Sequence, residues 1–412
     1  MLFRSANGLH LVALPLAGGG TVAVQVWYRV GSKDDPAGRS GFAHLFEHIM
    51  FKRTRHMADE MFDRLTEDVG GVNNAFTADD TTAYQSEVPA NHLERLLWAE
   101  ADRMAHLEVD QTAFDSERKV VKEEYRERVE ASPYGRLLHA LPGFAYTQHP
   151  YRRPGIGNIA ELDAATLADV RAFHTTYYRP DNATLIVAGD FDPALLDKAV
   201  DRYFGRLPRP EGPVPRVSVN EPLRKQARRE KLSAPNVPLP ATALIWQGPR
   251  AAHADAPALQ VASALLASGE SSRLHEALVY RERSAQGAGF YADLNADAGM
   301  IAAYAIAASG APLARLEASL LREIERLARG PVGSAELDKV RTQLLTAKVV
   351  ERQTPQGQAA ALGWALVLHG DVRAAAQELA RLQAVRGADV QRVLRQYILD
   401  RPAVSVEYRS AT

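Results

Sequence analysis

Residues 41–51, GFAHLFEHIMF, place two histidines four positions apart, with a glutamate directly before the second. The apolar residues of this stretch have helical spacing, and the preceding segment, GSKDDPAGRSG, is rich in turn-forming residues. On a helix, at about 100° per residue, His44, Glu47 and His48 share one face. Two imidazoles one turn apart can bind one metal ion, and a carboxylate between them can accept a proton. The alternative, two buried structural histidines beside a solvated glutamate, is disfavoured by this arrangement.

The composition narrows the possible functions. The chain has 412 residues, of which 46% are hydrophobic and 24% are charged, which suits a globular protein of two or three domains. Its 49 basic and 50 acidic residues leave a formal net charge of −1, so no overall charge attracts nucleic acid or an acidic membrane. Cysteine is absent, so disulfides and thiolate metal sites are excluded. A metal site here requires histidine and carboxylate ligands.

The beginning of the sequence bears on the compartment. MLFRSANGLHLVALPLAGGG lacks the long apolar region and the small-residue cleavage site of a signal peptide. No later stretch has the roughly eighteen apolar residues of a spanning helix. We therefore expect no membrane association and a cytoplasmic location for the chain as given, or a periplasmic one if an export signal has been removed.

Local patterns indicate the fold class. Residues 21–30, TVAVQVWYRV, alternate apolar with more polar side chains, which predicts a half-buried strand. Residues 72–88 predict two strands around a turn, and residues 92–107 and 112–131 predict amphipathic helices. Strands that come in hairpins, with helices between them, favour an α+β fold over a doubly wound parallel sheet.

A weak internal repeat predicts a duplication. The stretch ADVRAFHTTYYRPDNATLIV from Ala168 aligns with ADVQRVLRQYILDRPAVSVEY from Ala388, and each predicts a helix, a turn with proline and a strand. We therefore expect two similar two-layer domains, each with an antiparallel or mixed sheet covered by helices. The predicted divisions are a first domain at 1–207, a proline-rich linker and entry strand at 208–240, and a second domain at 241–412.

The motif resembles that of a known family. The order His-x-x-Glu-His, within GFAHLFEHIMFKRT, is similar to the pitrilysin/insulinase family of zinc peptidases, the inverzincins, and in particular to its short two-domain members, such as mitochondrial processing peptidase β-subunits and bacterial relatives. The resemblance implies that Zn²⁺ is held by His44, His48 and a glutamate within a pattern matched by residues 117–124, ERKVVKEE. It also implies that Glu47 is the catalytic base.

Helical periodicity separates the two adjacent candidates for the third ligand. Glu117, Val120, Val121 and Glu124 fall on one stripe that includes apolar residues, whereas Glu123 lies away from it. A carboxylate in an apolar stripe needs a partner. We therefore assign Glu124 as the third metal ligand and Glu117 as a catalytic-site residue that orients a ligand. The alternative for both is a solvated helix carboxylate.

Residues 73–84, NNAFTADDTTAY, resemble the family segment in which an edge strand pairs with the substrate backbone. An edge strand offers unpaired N–H and C=O groups to an extended peptide, largely regardless of its side chains. This predicts Asn74, Ala75 and Phe76 as substrate contacts. An ordinary hairpin is the alternative.

The second half departs from the family. Residues 268–291 resemble a segment that is followed, in many members, by an arginine and a tyrosine that reach the substrate; here those places hold Val279 and Gln286. Arg273 and Tyr280 have the same spacing, but Arg273 belongs to the preceding motif. Without this pair the developing negative charge of the substrate loses donors.

The missing pair bears on partners. We expect a homologous, metal-free second subunit to supply the arginine and tyrosine, so that this chain is the zinc-bearing member of a heterodimer. A homodimer that uses Arg281 or Arg283 instead is the alternative.

The functional prediction is a zinc-dependent endopeptidase that hydrolyses extended peptides. Its first domain binds the zinc, and its second is homologous but non-catalytic. The alternatives are a non-catalytic scaffold of the same fold and a metal storage or sensor protein. Scaffold members usually lack part of the motif, which is complete here.

Overall fold

The computed structural model describes residues 2–411 and divides into two compact units, each assembled from three segments. The N-terminal unit contains the residues up to Arg126, Arg153–Ser218 and Glu351–Ala375. The C-terminal unit contains Glu127–Arg152, Val219–Val350 and the residues from Ala376 onward. Each unit therefore takes one segment from the opposite half of the chain, whereas the predicted domains, 1–207 and 241–412, are contiguous.

A six-stranded sheet forms the N-terminal unit. Its strands are β1 (Leu2–Arg4), β2 (His10–Pro15), β3 (Thr21–Tyr28), β4 (Val72–Thr77), β5 (Thr82–Pro89) and β6 (Ala183–Gly189). They lie in the order β1-β2-β6-β3-β5-β4, and only β2 and β6 are parallel neighbours among these described strands. Strand β4 therefore lies at an edge.

A five-stranded sheet forms the C-terminal unit. Its strands are β7 (Arg228–Ala234), β8 (Ala241–Gly248), β9 (Ala285–Leu294), β10 (Gly299–Ala307) and β11 (Val404–Ser410). Their order is β7-β11-β8-β10-β9, and β7 and β11 are parallel. This order matches β2-β6-β3-β5-β4 strand for strand. The predicted duplication and the α+β class are thereby confirmed.

Helices cover both sheets. In the first half of the chain they are α1 (Phe42–Ile49), α2 (Met61–Glu67), α3 (Leu93–His106), α4 (Gln111–Tyr125), α5 (Gly135–Ala145), α6 (Ile159–Asp163), α7 (Leu167–Tyr177) and α8 (Pro193–Tyr203). In the second half they are α9 (Ala256–Ala267), α10 (Leu313–Arg329), α11 (Ser334–Glu351), α12 (Pro355–His369), α13 (Ala374–Ala384) and α14 (Gly387–Leu394). The aligned repeat corresponds to α7 with β6 and to α14 with β11. Among the helices of residues 2–411, none has the length and apolar character needed to cross a membrane.

The two exchanged segments each contain a sheet-covering helix. Helix α12, from the second half of the chain, packs on β3 and β6 of the N-terminal unit, where Gly363 lies against the Trp27 ring. A Cβ at Gly363 would lie 2.1 Å from that ring. Helix α5, from the first half, packs with Leu137 and Leu141 on the equivalent strands β8 and β11. The duplication thus extends to a reciprocal exchange of helices.

Strand β3 forms as predicted, but helix α12 explains why it is not half-buried. The alternation in residues 21–30 predicts one buried face, but β3 is buried on both, because Val22, Val24 and Val26 face one core while Ala23 and Trp27 face α12. The buried polar residue of this strand, Gln25, has hydrogen-bond partners for both its amide nitrogen and its amide oxygen. It donates to the Gln356 carbonyl across 2.9 Å and accepts from the Trp27 indole across 2.9 Å.

Candidate metal centre and edge strand

Helix α1 begins at a position that only glycine suits. Gly41 has φ +86°, and a Cβ there would lie 2.6 Å from the Ile156 carbonyl oxygen. The Asp35 carboxylate accepts hydrogen bonds from the Gly41 and Ala43 N–H groups, at 2.7 and 2.8 Å. Burial raises the pKa of Asp35 to about 7, although these hydrogen bonds favour its charged form. The first turn, and hence the position of His44, is fixed by these contacts.

Helices α1 and α4 pack together and bring three predicted ligands into one cluster, which we call the metal cluster: His44, His48 and Glu124. One ligand atom from each lies within 4.8 Å of the others. Glu124 Oε2 is 3.5 Å from Nε2 of each histidine. The two imidazole rings are 5.1 Å apart and nearly perpendicular, at 79°. Both rings therefore direct a nitrogen at the same carboxylate oxygen.

The donor atoms of the metal cluster suit a transition-metal ion. Two imidazole nitrogens and one carboxylate oxygen form a set that zinc accepts, with a fourth position left for water or substrate. Mn²⁺ and Co²⁺ accept the same donors. All three side chains are at least partly buried, so a bound ion would be shielded from bulk solvent. The residues present therefore fit a catalytic rather than a closed structural metal site.

Glu117 connects the metal cluster to a lysine. Its carboxylate lies 3.6 Å from His48 Nδ1 and 2.8 Å from Lys52 Nζ. Burial by itself raises the pKa of Glu117. Hydrogen bonds with His48 and Lys52 lower the pKa by more than burial raises it, so the net shift is downward. Burial lowers the pKa of His48, but Glu117 and the neighbouring carboxylates raise it overall. Glu117 thus contacts the ring nitrogen opposite Glu124, where it can orient the histidine.

Glu47 is held by the edge strand. Its carboxylate accepts a hydrogen bond from the Thr77 hydroxyl across 2.7 Å, and Thr77 is the last residue of β4. No role was predicted for Thr77 from the sequence. Strand periodicity could have indicated one, because it places Thr77 on the same face as Ala75, within residues 73–84. Lys52 was also missed, since nothing in its local sequence marks it.

The hydrogen-bond pattern shows which main-chain groups of β4 face away from the ladder. The Ala78 N–H donates to the Thr81 carbonyl and closes the hairpin, so Ala78 is bonded across the hairpin. Going back along β4 from Ala78, residues alternate between those that bond to β5 and those that face the free edge. Asn73, Ala75 and Thr77 consequently direct their main-chain groups to the free edge. The Ala75 N–H is met there by the Asn74 side-chain oxygen, at 2.8 Å.

The side chains of the other two predicted substrate contacts, Asn74 and Phe76, lie on the opposite face of the sheet from Ala75. The Phe76 ring stacks on Trp364 at 5.3 Å and meets Trp27 edge-on at 5.3 Å. The structure thus gives Phe76 a packing role, and Ala75 is the predicted residue whose main chain faces the open edge.

The helical stripe used to choose Glu124 needs one correction. Val121 is fully buried, but Val120 is 46% exposed and does not belong to the buried face. On the helical wheel, Val120 lies about 60° from Glu117 on the side away from Val121. Val120 therefore falls outside the part of the helix surface that packs against the protein. Glu123 is 60% exposed and pairs with Arg126, as its spacing predicts.

Val279 and Gln286, which stand where many family members have an arginine and a tyrosine, lie in the C-terminal unit. Val279 lies in a π-helical segment, His275–Arg281, and Gln286 is exposed on β9. Arg273 is bound in a double hydrogen bond to Glu336, at 2.8 Å for each nitrogen, so its guanidinium already has a structural partner. This agrees with excluding Arg273 from the site.

Comparisons with known proteins identify the family. Residues 11–158 match the model described as Insulinase (Peptidase family M16), and residues 164–344 match the Peptidase M16 inactive domain. The chain belongs to this insulinase family of peptidases. It is 31% identical to the zinc protease PqqE of Helicobacter pylori, over 97% of this chain and 90% of that protein. It is 24% identical to a probable mitochondrial-processing peptidase subunit beta of Arabidopsis thaliana, over 96% and 75%. A crystal structure of a Helicobacter pylori protease superposes with a TM-score of 0.94 at 30% identity, covering 99% of each chain.

Proposed function

We propose that this chain is a catalytically active zinc endopeptidase that cleaves extended peptides. The observation that carries the proposal is the convergence of His44, His48 and Glu124 within 4.8 Å, with Glu47 on the same helix. Relatives named as zinc proteases support zinc as the ion. A family member without activity would have no need for both the ligand set and the intervening carboxylate.

The chain's own residues divide the work. Zinc bound by the metal cluster would polarise the scissile carbonyl and make a water molecule more acidic. Glu47 accepts the proton from that water and later donates it to the leaving amine. Thr77 fixes the carboxylate of Glu47 through its hydroxyl, so the base is oriented before substrate arrives. Glu117 contacts the His48 ring from the opposite side, and Lys52 pairs with Glu117.

The substrate is proposed to bind as an added strand. Ala75 and its alternate neighbours on β4 direct N–H and C=O groups to a free edge, and such an edge pairs with any extended backbone. The same strand ends at Thr77, which contacts Glu47. A peptide paired with β4 would therefore run close to the catalytic base. Recognition through the main chain favours unfolded substrates of varied sequence.

The proposed partner is a homologous, metal-free subunit. Val279 and Gln286 offer no cationic or phenolic donor to the substrate, and the second half of the chain matches a domain described as inactive. Relatives named as a subunit beta support an assembly of more than one chain. We propose a heterodimer in which the second chain supplies an arginine and a tyrosine.

Cleavage of a quenched fluorescent peptide library by the purified chain tests the activity. We expect turnover that a chelator abolishes and added Zn²⁺ restores. Glu47→Gln should lower the rate by about 100- to 10,000-fold while leaving zinc content unchanged. Glu123→Gln is the matched control, because Glu123 lies on the same helix as Glu124 but is exposed.

Two outcomes bear on the proposal differently. Unchanged turnover in Glu47→Gln would remove Glu47 as the base. Zinc binding without turnover by the isolated chain would direct the same assay to mixtures with homologous chains, and continued inactivity there would overturn the peptidase proposal.

A further inference from the structure

A second cluster of metal-binding side chains lies in the N-terminal unit, apart from the metal cluster. One ligand atom from each of His56, Asp102 and His106 lies within 4.8 Å of the others, as in the metal cluster. We propose that these three residues form a second site for a divalent transition-metal ion, which we call the outer site. None of them belongs to the sequence motif, and the outer site does not depend on the proposed function.

The fold explains why these residues meet. Asp102 and His106 are four residues apart on α3, the same spacing that places His44 and His48 on one face of α1. The segment after α1 pairs with the end of α3, because Arg55 N–H donates to the His106 carbonyl across 2.9 Å. That pairing brings His56 to the face occupied by the other two side chains. The His56 and His106 rings are 5.2 Å apart and nearly perpendicular, at 81°.

The charge of Asp102 favours a cation at this place. Its residue is only 5% exposed, and within residues 2–411 its ion-pair partner is His56, with Nδ1 at 2.6 Å, rather than a lysine or arginine. Its other oxygen accepts the Thr54 hydroxyl. A buried carboxylate is costly unless a positive charge compensates it. A divalent ion shared with two imidazoles would supply that charge.

His106 adds two favourable features. It is the last residue of α3, where the helix dipole attracts cations. Within the described part of the chain, its ring makes no hydrogen bond to protein, so its nitrogens remain available to a ligand. His56 is 51% exposed, so an ion could enter from solvent and keep water in its remaining positions.

An ion in the outer site would join the segment after α1 to the end of α3. Residues 50–56 follow α1 directly, and His56 would join this segment to the end of α3. Without an ion the same connection rests on hydrogen bonds among Thr54, His56 and Asp102. Two imidazoles and a carboxylate select the same ions as the metal cluster, so Zn²⁺ is the appropriate probe.

Equilibrium dialysis of the metal-free full chain against Zn²⁺, followed by metal analysis, tests the outer site. We expect two ions per chain for the unaltered protein. His106→Ala and the milder His106→Gln should each bind one. His44→Ala should also bind one, because it removes the metal cluster and leaves the outer site. The double variant His44→Ala/His106→Ala should bind none.

His253 provides a matched control. It is 46% exposed and lies 3.6 Å from the buried Asp255, as His56 lies beside Asp102, but the metal-binding groups found among residues 2–411 do not include it. His253→Ala should therefore still bind two ions. Zinc binding that is unchanged in both His106 variants, whether one ion or two per chain, would overturn the proposal. Circular dichroism of each variant verifies that a lost ion does not reflect a lost fold.

Discussion

The Thr77 hydroxyl donates a hydrogen bond to the Glu47 carboxylate across 2.7 Å, and it thereby joins the exposed edge of the sheet to the helix that carries His44 and His48. Thr77 directs its main chain to the free edge and its side chain to Glu47. A peptide that pairs with β4 would thus contact the residue that holds Glu47. In the proposed function, substrate binding and orientation of the base therefore share one structural element.

Thr77→Val should impair catalysis without releasing metal. The valine keeps the shape but removes the hydrogen bond, so we expect kcat to fall by about 10- to 100-fold at unchanged zinc content. Thr77→Ser should restore the rate. A valine variant with unchanged kcat would show that Thr77 only packs.

Glu117→Gln should weaken metal binding. The change removes the charge that contacts His48 and Lys52, and removal of such an orienting group costs about 10- to 100-fold in metal affinity. Competition with a calibrated zinc chelator measures the change, and the exposed Glu123→Gln serves as the control. Equal affinities in the two variants would mean that Glu117 does not orient His48.

Ala75→Pro should block substrate pairing while leaving the sheet intact. Proline removes the Ala75 N–H, which faces the open edge, where it donates to the Asn74 side chain and not to the ladder. We expect KM for peptides to rise at least about tenfold, with little change in thermal unfolding. Ala75→Ser keeps the N–H and should behave as the unaltered protein. Asn74→Pro should instead destabilise the fold, because its N–H belongs to the ladder; similar thermal curves for both proline variants would contradict this alternation.

His174 should make the fold sensitive to acid. Burial lowers its pKa from 6.5 to about 4, since its ring stacks on Phe46 and Tyr178. The unfolded chain binds this proton below about pH 6.5, whereas the folded chain does so only near pH 4. Stability is therefore full above pH 6.5 and falls by about 3 kcal/mol as the pH drops to 4. His174→Phe should flatten this part of the curve in urea unfolding measured at several pH values; an unchanged slope would contradict the assignment.

Gly363→Ala should destabilise the protein strongly. The added methyl group would meet the Trp27 ring at 2.1 Å, and overpacking of this kind costs about 1–3 kcal/mol or more. Gly287→Ala, where nothing lies within 4 Å, provides the control. Thermal unfolding of the two variants measures the difference. Equal melting temperatures would mean that α12 can shift away from the sheet at little cost.

The features that could be predicted from the sequence are those whose information is local. His44, Glu47 and His48 lie within one helical turn, and helical spacing alone separated Glu124 from the exposed Glu123. The duplication was visible in the repeats at Ala168 and Ala388. Each of these signals depends only on periodicity along a short stretch.

Features that depend on distant parts of the chain were missed. The second buried face of β3 depends on α12, which follows it by most of the sequence. His56 and Asp102 come together through the pairing of two separate segments, and no spacing rule connects them. Thr77 lies thirty residues from Glu47. Such contacts arise from topology, which local patterns constrain only weakly.

The exchange of helices has a consequence for synthesis on the ribosome. When β6 has emerged, every strand of the first sheet is available, yet the helix that covers its Trp27 face comes much later in the chain. Until then a wide apolar surface remains open to other nascent chains or to chaperones, and incomplete sheets with such surfaces aggregate readily. A chain truncated before α12 should therefore be recovered largely insoluble, because its first half has no means of closing its own core.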